Sequence, residues 1–155
     1  MLRVKIITVG QDKDNWVSES CQHFQKLLKK YCRLDIITIT SLKLSNSLSP
    51  DEIKKKELDV IKNKLSNGLI IALSDKGKEF DSYSFAKQME KWQTQNSTLQ
   101  FIIGGAYGLD ASFLKSTNTI LSLSKLTFSH QLIRPILLEQ LFRAFSIIHN
   151  TDYHK

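Results

Sequence analysis

Five short runs rich in Ile, Val, Leu or Thr alternate along the chain with longer segments whose apolar residues recur at helical spacing. The short runs predict strands at residues 2–9, 34–39, 69–73, 99–103 and 119–123. The longer segments predict helices at about residues 15–31, 50–65, 82–95, 110–115 and 130–149. Because strands and helices alternate throughout, we expect an α/β fold with a mainly parallel sheet and flanking helices.

The composition shows no break that would divide this pattern into two units. A chain of 155 residues, 41% of them hydrophobic, is long enough to bury one sizeable core. The polar, Ser-rich stretch 41–49 leads into Pro50 and is predicted to be a loop. We therefore predict a single domain over residues 1–155.

The chain is basic, with a formal net charge of +7. Such a charge favours polyanionic partners, although it specifies neither fold nor target and also serves solubility alone. The run Lys54, Lys55 and Lys56 begins a basic helix face, which is either a solvated surface or an RNA contact.

Several classes of protein are excluded by what the sequence lacks. Residues 1–10 interleave charged with apolar side chains, unlike a signal peptide, and no stretch approaches the length of a membrane span. Cys21 and Cys32 have no zinc-ligand spacing and are predicted to be buried apolar side chains, not a disulfide framework. We predict a soluble, cytoplasmic protein without a metal site.

Three loops with chemically distinctive residues follow the last three predicted strands. They comprise residues 73–78, 102–110 and 121–131. In an open parallel sheet, ligands bind where loops leave the carboxyl ends of the strands. These loops are therefore predicted to form the binding site, although the first one, taken alone, is an ordinary turn.

The second loop carries glycines at positions 104, 105 and 108, between a strand and a helix. Glycine allows close approach of a ligand to the backbone, and helix-start amides can face a polar group. The spacing is neither the Gly-x-Gly-x-x-Gly of a dinucleotide fold nor a phosphate-binding loop with Gly-Lys-Ser/Thr. Alone, the motif fits either a ligand site or a tight turn.

The third loop leads into the last helix. Ser129 is placed to cap that helix. The helix dipole would disfavour the charged form of His130, which suits a neutral donor or acceptor, with a structural role as the alternative.

The last helix has an apolar stripe that predicts a core or interface contact, formed by Ile133, Ile136, Leu137, Leu141, Phe145 and Ile148. The opposite positions include Arg134, Glu139 and Arg143. Because Glu139 and Arg143 are four residues apart, they are predicted to form an ion pair. The end of the chain, Tyr153-His154-Lys155, is expected to fray, or alternatively to stack on a base and contact phosphate.

Four motifs in order are recognisable in the second half of the chain. They are Ile103-Gly104-Gly105-x-x-Gly108-Leu109, Leu121-Ser122-Leu123-Ser124-Lys125-Leu126-Thr127-Phe128-x-His130, Glu139-Gln140-Leu141-x-Arg143-Ala144 and Tyr153-His154-Lys155. Together they resemble the RlmH (YbeA) family, the pseudouridine N3-methyltransferases of large-subunit ribosomal RNA. The resemblance covers the whole chain in length and element order.

The resemblance implies a minimal SPOUT domain, in which the C-terminal part of the parallel sheet is threaded into a trefoil knot. It also implies a homodimer that acts on ribosomal RNA in the assembled ribosome, with S-adenosylmethionine as methyl donor. In the family the donor lies bent in a crevice formed by the three loops. The donor-binding residues carried over are Leu73, Gly104, Leu123, Ser124, Lys125, Leu126, Thr127 and Phe128.

The same resemblance suggests catalytic roles at four positions. A pseudouridine N3 carries a proton, so a group must accept it or stabilise the base anion while the methyl is transferred. His130 or His154 is the candidate acceptor, Arg134 the stabilising cation and Tyr153 the residue that stacks on the target nucleotide.

Other interpretations remain open on the sequence alone. One is a SPOUT methyltransferase of another RNA such as transfer RNA, although most of those carry an extra RNA-binding domain. Another is a non-catalytic dimer that binds RNA or ribosomes. A doubly wound nucleotide-binding module would need a phosphate cradle that the sequence lacks.

Overall fold

A computed structural model describes residues 1–42, 47–117 and 119–155. The described residues form five strands, β1 (Arg3–Val9), β2 (Arg33–Ile39), β3 (Leu69–Lys78), β4 (Thr98–Ile103) and β5 (Ile120–Leu121). They also form five helices, α1 (Asn15–Leu28), α2 (Pro50–Lys64), α3 (Ser82–Gln95), α4 (Ala111–Ser116) and α5 (Ile133–Ile148). The predicted alternation of strand and helix is confirmed.

The strands form one sheet in the order β2-β1-β4-β3-β5. Each strand pairing within the described ranges is parallel, as predicted. Thr8 pairs with Ile103, and Leu73 pairs with Leu121, so the carboxyl ends of four strands meet at one edge. The trefoil knot stays a prediction from the resemblance.

Two of the predicted boundaries of strands were wrong. Strand β3 continues to Lys78, where a turn after Leu73 was expected, while β5 has only two residues. Leu121 pairs with both Leu73 and Lys78 across an irregularity in the ladder. Gly77 permits this pairing, because a β-carbon there would lie 2.7 Å from the Leu121 carbonyl carbon.

The start of the last helix was also placed too early. Helix α5 begins at Ile133, and Ser129 does not cap it: the Ser129 hydroxyl accepts a hydrogen bond of 3.2 Å from the Leu132 amide in the preceding turn. Pro135 lies in the first turn of α5, where a missing N–H costs little. The predicted loop 41–49 lies partly outside the described residues, at positions 43–46.

The core has one apolar cluster on each face of the sheet. Helices α1, α3 and α5 cover one face, where Phe101 and Phe145 are fully buried, while α2 and α4 cover the other. Cys21 and Cys32 are free and buried, as predicted. Among the described residues no helix is both long and apolar enough to cross a membrane.

The predicted stripe of α5 is buried at Leu137, Leu141 and Phe145, whereas Ile133, Ile136 and Ile148 are half-buried. Arg134, which was predicted to lie opposite this stripe, is buried as well. Arg134 is only 5% exposed, because its guanidinium turns inward to hydrogen-bond acceptors at the end of β1.

Candidate functional site

The three predicted loops converge on one cavity at the carboxyl edge of the sheet, with a volume of about 560 Å³. Residues 73–75, the glycine loop 103–109 and side chains between Leu121 and Ile133 line it. Of the residues predicted to bind a donor, seven line this cavity: Leu73, Gly104, Leu123, Ser124, Leu126, Thr127 and Phe128. Lys125 is not part of the lining and is exposed.

The glycine loop is a tight turn in which the backbone itself forms the wall. The Gly108 amide donates a hydrogen bond of 3.0 Å to the Gly105 carbonyl, and Gly108 has a φ of 79°. A β-carbon on Gly104 would lie 2.6 Å from the Gly108 carbonyl carbon, which is closer than side chains allow. Gly104 is therefore required for the loop to close on itself.

The loop ends in a well-capped helix. The Asp110 carboxylate accepts hydrogen bonds from the amides of Ser112 and Phe113, at 2.9 and 3.1 Å. These bonds, with one from the Ser112 hydroxyl as the largest contribution, hold the pKa of Asp110 below its usual range. The capping fixes the exit of the glycine loop.

Local hydroxyl bonds shape the segment that follows β5. The Ser122 hydroxyl donates to the Ser124 carbonyl at 2.9 Å, and the Ser124 hydroxyl accepts from the Leu126 amide at 3.0 Å. These bonds replace strand pairing with a turn. As a result Leu126 is 73% exposed at the cavity, an apolar contact surface on an otherwise polar turn.

His130 lines the cavity and rests on the end of β1. A β-carbon on Gly10 would lie 3.3 Å from His130 Nε2, so the absence of a side chain at Gly10 makes room for the imidazole. The pKa of His130 is lowered mainly by burial, then by the charges of Arg134 and Lys13. The predicted preference for a neutral imidazole therefore has a different cause from the helix dipole, since α5 begins three residues later.

Arg134 lies behind His130. Its guanidinium donates to the Asp12 carboxylate, to the Gly10 carbonyl and, at 3.0 Å, to the Val9 carbonyl. Asp12 was missed by the sequence analysis, because no motif connects residues 122 positions apart.

The C-terminal residues lie elsewhere on the chain. Tyr153 donates a hydrogen bond of 2.9 Å to Glu139, and His154 Nδ1 lies 3.0 Å from an Arg143 nitrogen. The predicted ion pair of Glu139 and Arg143 is present at 2.6 Å. The expectation of a frayed end was wrong, because these contacts attach the tail to α5. Neither Tyr153 nor His154 lines the cavity of its own chain.

A second residue missed by the sequence analysis is Glu57 on α2. It is 6% exposed, and a β-carbon on Gly105 would lie 3.2 Å from its carboxylate. Burial raises its pKa, against a lowering by a hydrogen bond from the Leu42 backbone. The sequence pattern did not predict the burial of Glu57, because this residue directly follows three lysines that were predicted to form a basic helix face.

The arrangement suits a ligand with both apolar and polar parts. Apolar side chains, the glycine loop and several hydroxyl side chains line the cavity, and the ionisable side chains on it are Asp75, Tyr107 and His130. Within residues 1–42, 47–117 and 119–155, no cluster of His, Cys, Asp or Glu is suited to a metal ion.

Solved structures of other proteins share this architecture. A probable methylase family protein from Haemophilus influenzae matches with a TM-score of 0.59 and 12% identity, covering 99% of this chain and 70% of that one. A probable methyltransferase from Bordetella pertussis matches with a TM-score of 0.56 and 14% identity, covering 92% and 96%. At such identities the likeness shows a shared fold alone.

Similarities in sequence show the family to which the chain belongs. The profile described as "Predicted SPOUT methyltransferase" matches residues 2–154. A protein of Clostridium botulinum named Ribosomal RNA large subunit methyltransferase H is 42% identical over 99% of this chain and 100% of its own length. One of the same name from Natranaerobius thermophilus is 41% identical over 99% of both chains. The chain belongs to the RlmH family of SPOUT methyltransferases.

Proposed function

We propose that this protein transfers the methyl group of S-adenosylmethionine to N3 of a pseudouridine in large-subunit ribosomal RNA. The observation that carries the proposal is the convergence of three loops, distant in sequence, on one cavity. The relatives named Ribosomal RNA large subunit methyltransferase H, similar over their full length, support the choice of RNA. The ribosome as substrate would place the protein in the cytoplasm.

The cavity fits the proposed donor in size and chemistry. Its volume of about 560 Å³ is within the usual range of small-molecule sites. Leu123, Leu126 and Phe128 offer apolar surface for an adenine ring, and the glycine loop offers backbone groups without side chains in the way. The donor supplies an activated methyl group when bound, so the protein mainly has to hold it in line with the base nitrogen.

In this proposal His130 accepts the N3 proton of the base. His130 lines the cavity, and its lowered pKa keeps the imidazole neutral near pH 7. A neutral imidazole can take up a proton as the methyl group is transferred. Arg134, held by Asp12, contributes positive charge close behind the imidazole.

We propose that the C-terminal tail, residues 153–155, acts at the cavity of a second subunit in a homodimer. Tyr153 and His154 are held on α5 by Glu139 and Arg143, away from the cavity of their own chain. In a dimer that packs through α5, the tail of one subunit would reach the cavity of the other. The half-buried Ile136 leaves apolar surface on α5 for such a contact.

Nucleoside analysis tests the proposed chemistry. Ribosomes from a strain without this methylation, and ribosomes that also lack pseudouridine, are incubated with the protein and S-adenosylmethionine. Their RNA is then digested and analysed by mass spectrometry. We expect 3-methylpseudouridine from the first substrate and a much lower methyl yield from the second. Methylation of a ribose or a base carbon, or equal yields from both substrates, would contradict the proposal.

A further inference from the structure

The loop between β1 and α1, residues 10–14, is joined to the segment 130–134 by three separate contacts. Arg134 donates to the Asp12 carboxylate, and its other terminal nitrogen donates to the carbonyls of Val9, at 3.0 Å, and Gly10. Gln131 accepts a hydrogen bond of 3.4 Å from the Lys13 amide. The imidazole of His130 packs on Gly10. Two segments about 120 residues apart thus form one unit beside the cavity.

The unit depends on charge neutralisation. The Arg134 side chain is 6% exposed, and a guanidinium so far from water needs an anion as well as carbonyl acceptors. Asp12 is the anion that contacts it, at 28% side-chain exposure. Without Asp12, two carbonyl oxygens would hold an uncompensated cation directly behind His130.

We propose that Asp12 is a positioning residue for methyl transfer, acting through Arg134 to hold the imidazole of His130 against Gly10 at the cavity. This inference rests on the proposed function, in which His130 accepts the proton. Asp12 does not line the cavity in which the donor is proposed to bind, so we expect its effect to fall on turnover and not on donor binding. Like Arg134, Asp12 is not part of the cavity lining, whereas His130 lies on it.

The charged groups around His130 give the sign of the electrostatic effect. Arg134 and Lys13 lower the pKa of the imidazole, and Asp12 raises it. Removing the Asp12 carboxylate therefore lowers this pKa further. A residue with a purely architectural role elsewhere in the fold would not change the titration of one imidazole.

The test compares Asp12→Ala and Asp12→Asn with the control Asp14→Ala. Asp14 is two residues away, and its side chain makes no capping hydrogen bond to α1. Turnover on methylation-deficient ribosomes, S-adenosylmethionine affinity by calorimetry and the NMR titration of His130, one of four histidines, are measured for each protein. The Asn variant retains an acceptor for Arg134 without the charge and guards against a folding defect in the Ala variant.

We expect Asp12→Ala to lose roughly 10- to 100-fold in turnover with unchanged donor affinity. We expect a smaller loss for Asp12→Asn, a lower His130 pKa in both, and no change in Asp14→Ala. Wild-type turnover and an unchanged His130 titration in both Asp12 variants would overturn the inference, as would a parallel loss of donor binding. If the unmodified protein methylates no RNA, the proposed function fails, while the NMR titration still decides whether Asp12 controls His130.

Discussion

The Tyr153 hydroxyl donates a hydrogen bond of 2.9 Å to Glu139 Oε1, which joins the end of the chain to the middle of α5. The Tyr153 ring also packs edge-on against Phe142 and lies under the Arg143 guanidinium, at 4.7 and 4.9 Å. The last residues are therefore ordered by their own helix. In the proposed homodimer this order sets the position from which the tail reaches the other subunit.

Replacing Tyr153 with Phe removes only the hydroxyl that holds the tail. We expect a loss of less than about 1 kcal/mol in the free energy of unfolding, because the bond is partly exposed to water. We expect turnover on ribosomes to fall roughly tenfold while S-adenosylmethionine affinity is unchanged. Tyr83→Phe is the control, since the Tyr83 hydroxyl has no hydrogen bond to any described residue. Full activity of Tyr153→Phe would show that the hydrogen bond to Glu139 does not position the tail for methyl transfer.

Replacing Gly104 with Ala places a β-carbon 2.6 Å from the Gly108 carbonyl carbon, so the glycine loop must open. We expect donor affinity to fall at least about tenfold by calorimetry, which corresponds to about 1.4 kcal/mol. Gly68→Ala is the matched control, because its β-carbon would lie 2.5 Å from the Thr98 carbonyl oxygen at the opposite end of the sheet. Both variants lose thermal stability, but only Gly104→Ala loses affinity. Wild-type affinity in Gly104→Ala would place the donor elsewhere.

Glu57 makes stability depend on pH. Burial raises its pKa in the folded protein above the ordinary 4.5, so folding is favoured by the protonated form. The contribution of Glu57 to the free energy of unfolding is therefore fully present below pH 4.5. It is lost as the pH rises through the higher pKa of the folded protein. We expect Glu57→Gln to remove that loss, seen as a flatter dependence of the free energy of urea unfolding on pH above 4.5. The exposed Glu90→Gln is the control, and an unchanged slope in Glu57→Gln would be inconsistent with a buried acid.

The two thiols are expected to be inert in the folded protein. Burial raises the pKa of Cys21 to about 11 and that of Cys32 to about 12, and the two residues are 6% and 2% exposed. The thiolate is the reactive form, so a chromogenic disulfide reagent at pH 8 should label neither residue until denaturant is added. Rapid labelling of one equivalent in native buffer would contradict this burial. Cys21→Ser and Cys32→Ser would identify the thiol concerned.

Elements and loops specified by short-range chemistry were predictable. Helix α3 was predicted with the bounds that the structure shows, and its ends are local: Asp81 accepts from the Ser84 amide at 2.7 Å, and Asn96 caps the other end. The convergence of the three loops followed from chain order, because the carboxyl ends of parallel strands share one edge. The resemblance to the RlmH family then predicted S-adenosylmethionine as the ligand of these loops.

Contacts between segments distant in sequence were not predictable. The burial of Arg134 was not predicted, because it depends on Asp12 and on carbonyls at the end of β1. The proximity of Glu57 to Gly105 and the continuation of β3 along Leu121 are likewise properties of the assembled sheet. Hydrophobic periodicity predicts which face of a helix or strand is buried. It does not predict which polar groups of other segments contact that face.

The most direct test of the proposed function is transfer of labelled methyl from S-adenosylmethionine to three substrates of a methylation-deficient strain. These are whole ribosomes, isolated large subunits and bulk transfer RNA, with Gly104→Ala as the control for the cavity. We predict label on the large-subunit RNA of whole ribosomes, none on transfer RNA, and a strongly reduced signal with the control variant. Label on transfer RNA alone, or no label and no donor binding, would contradict the proposed function.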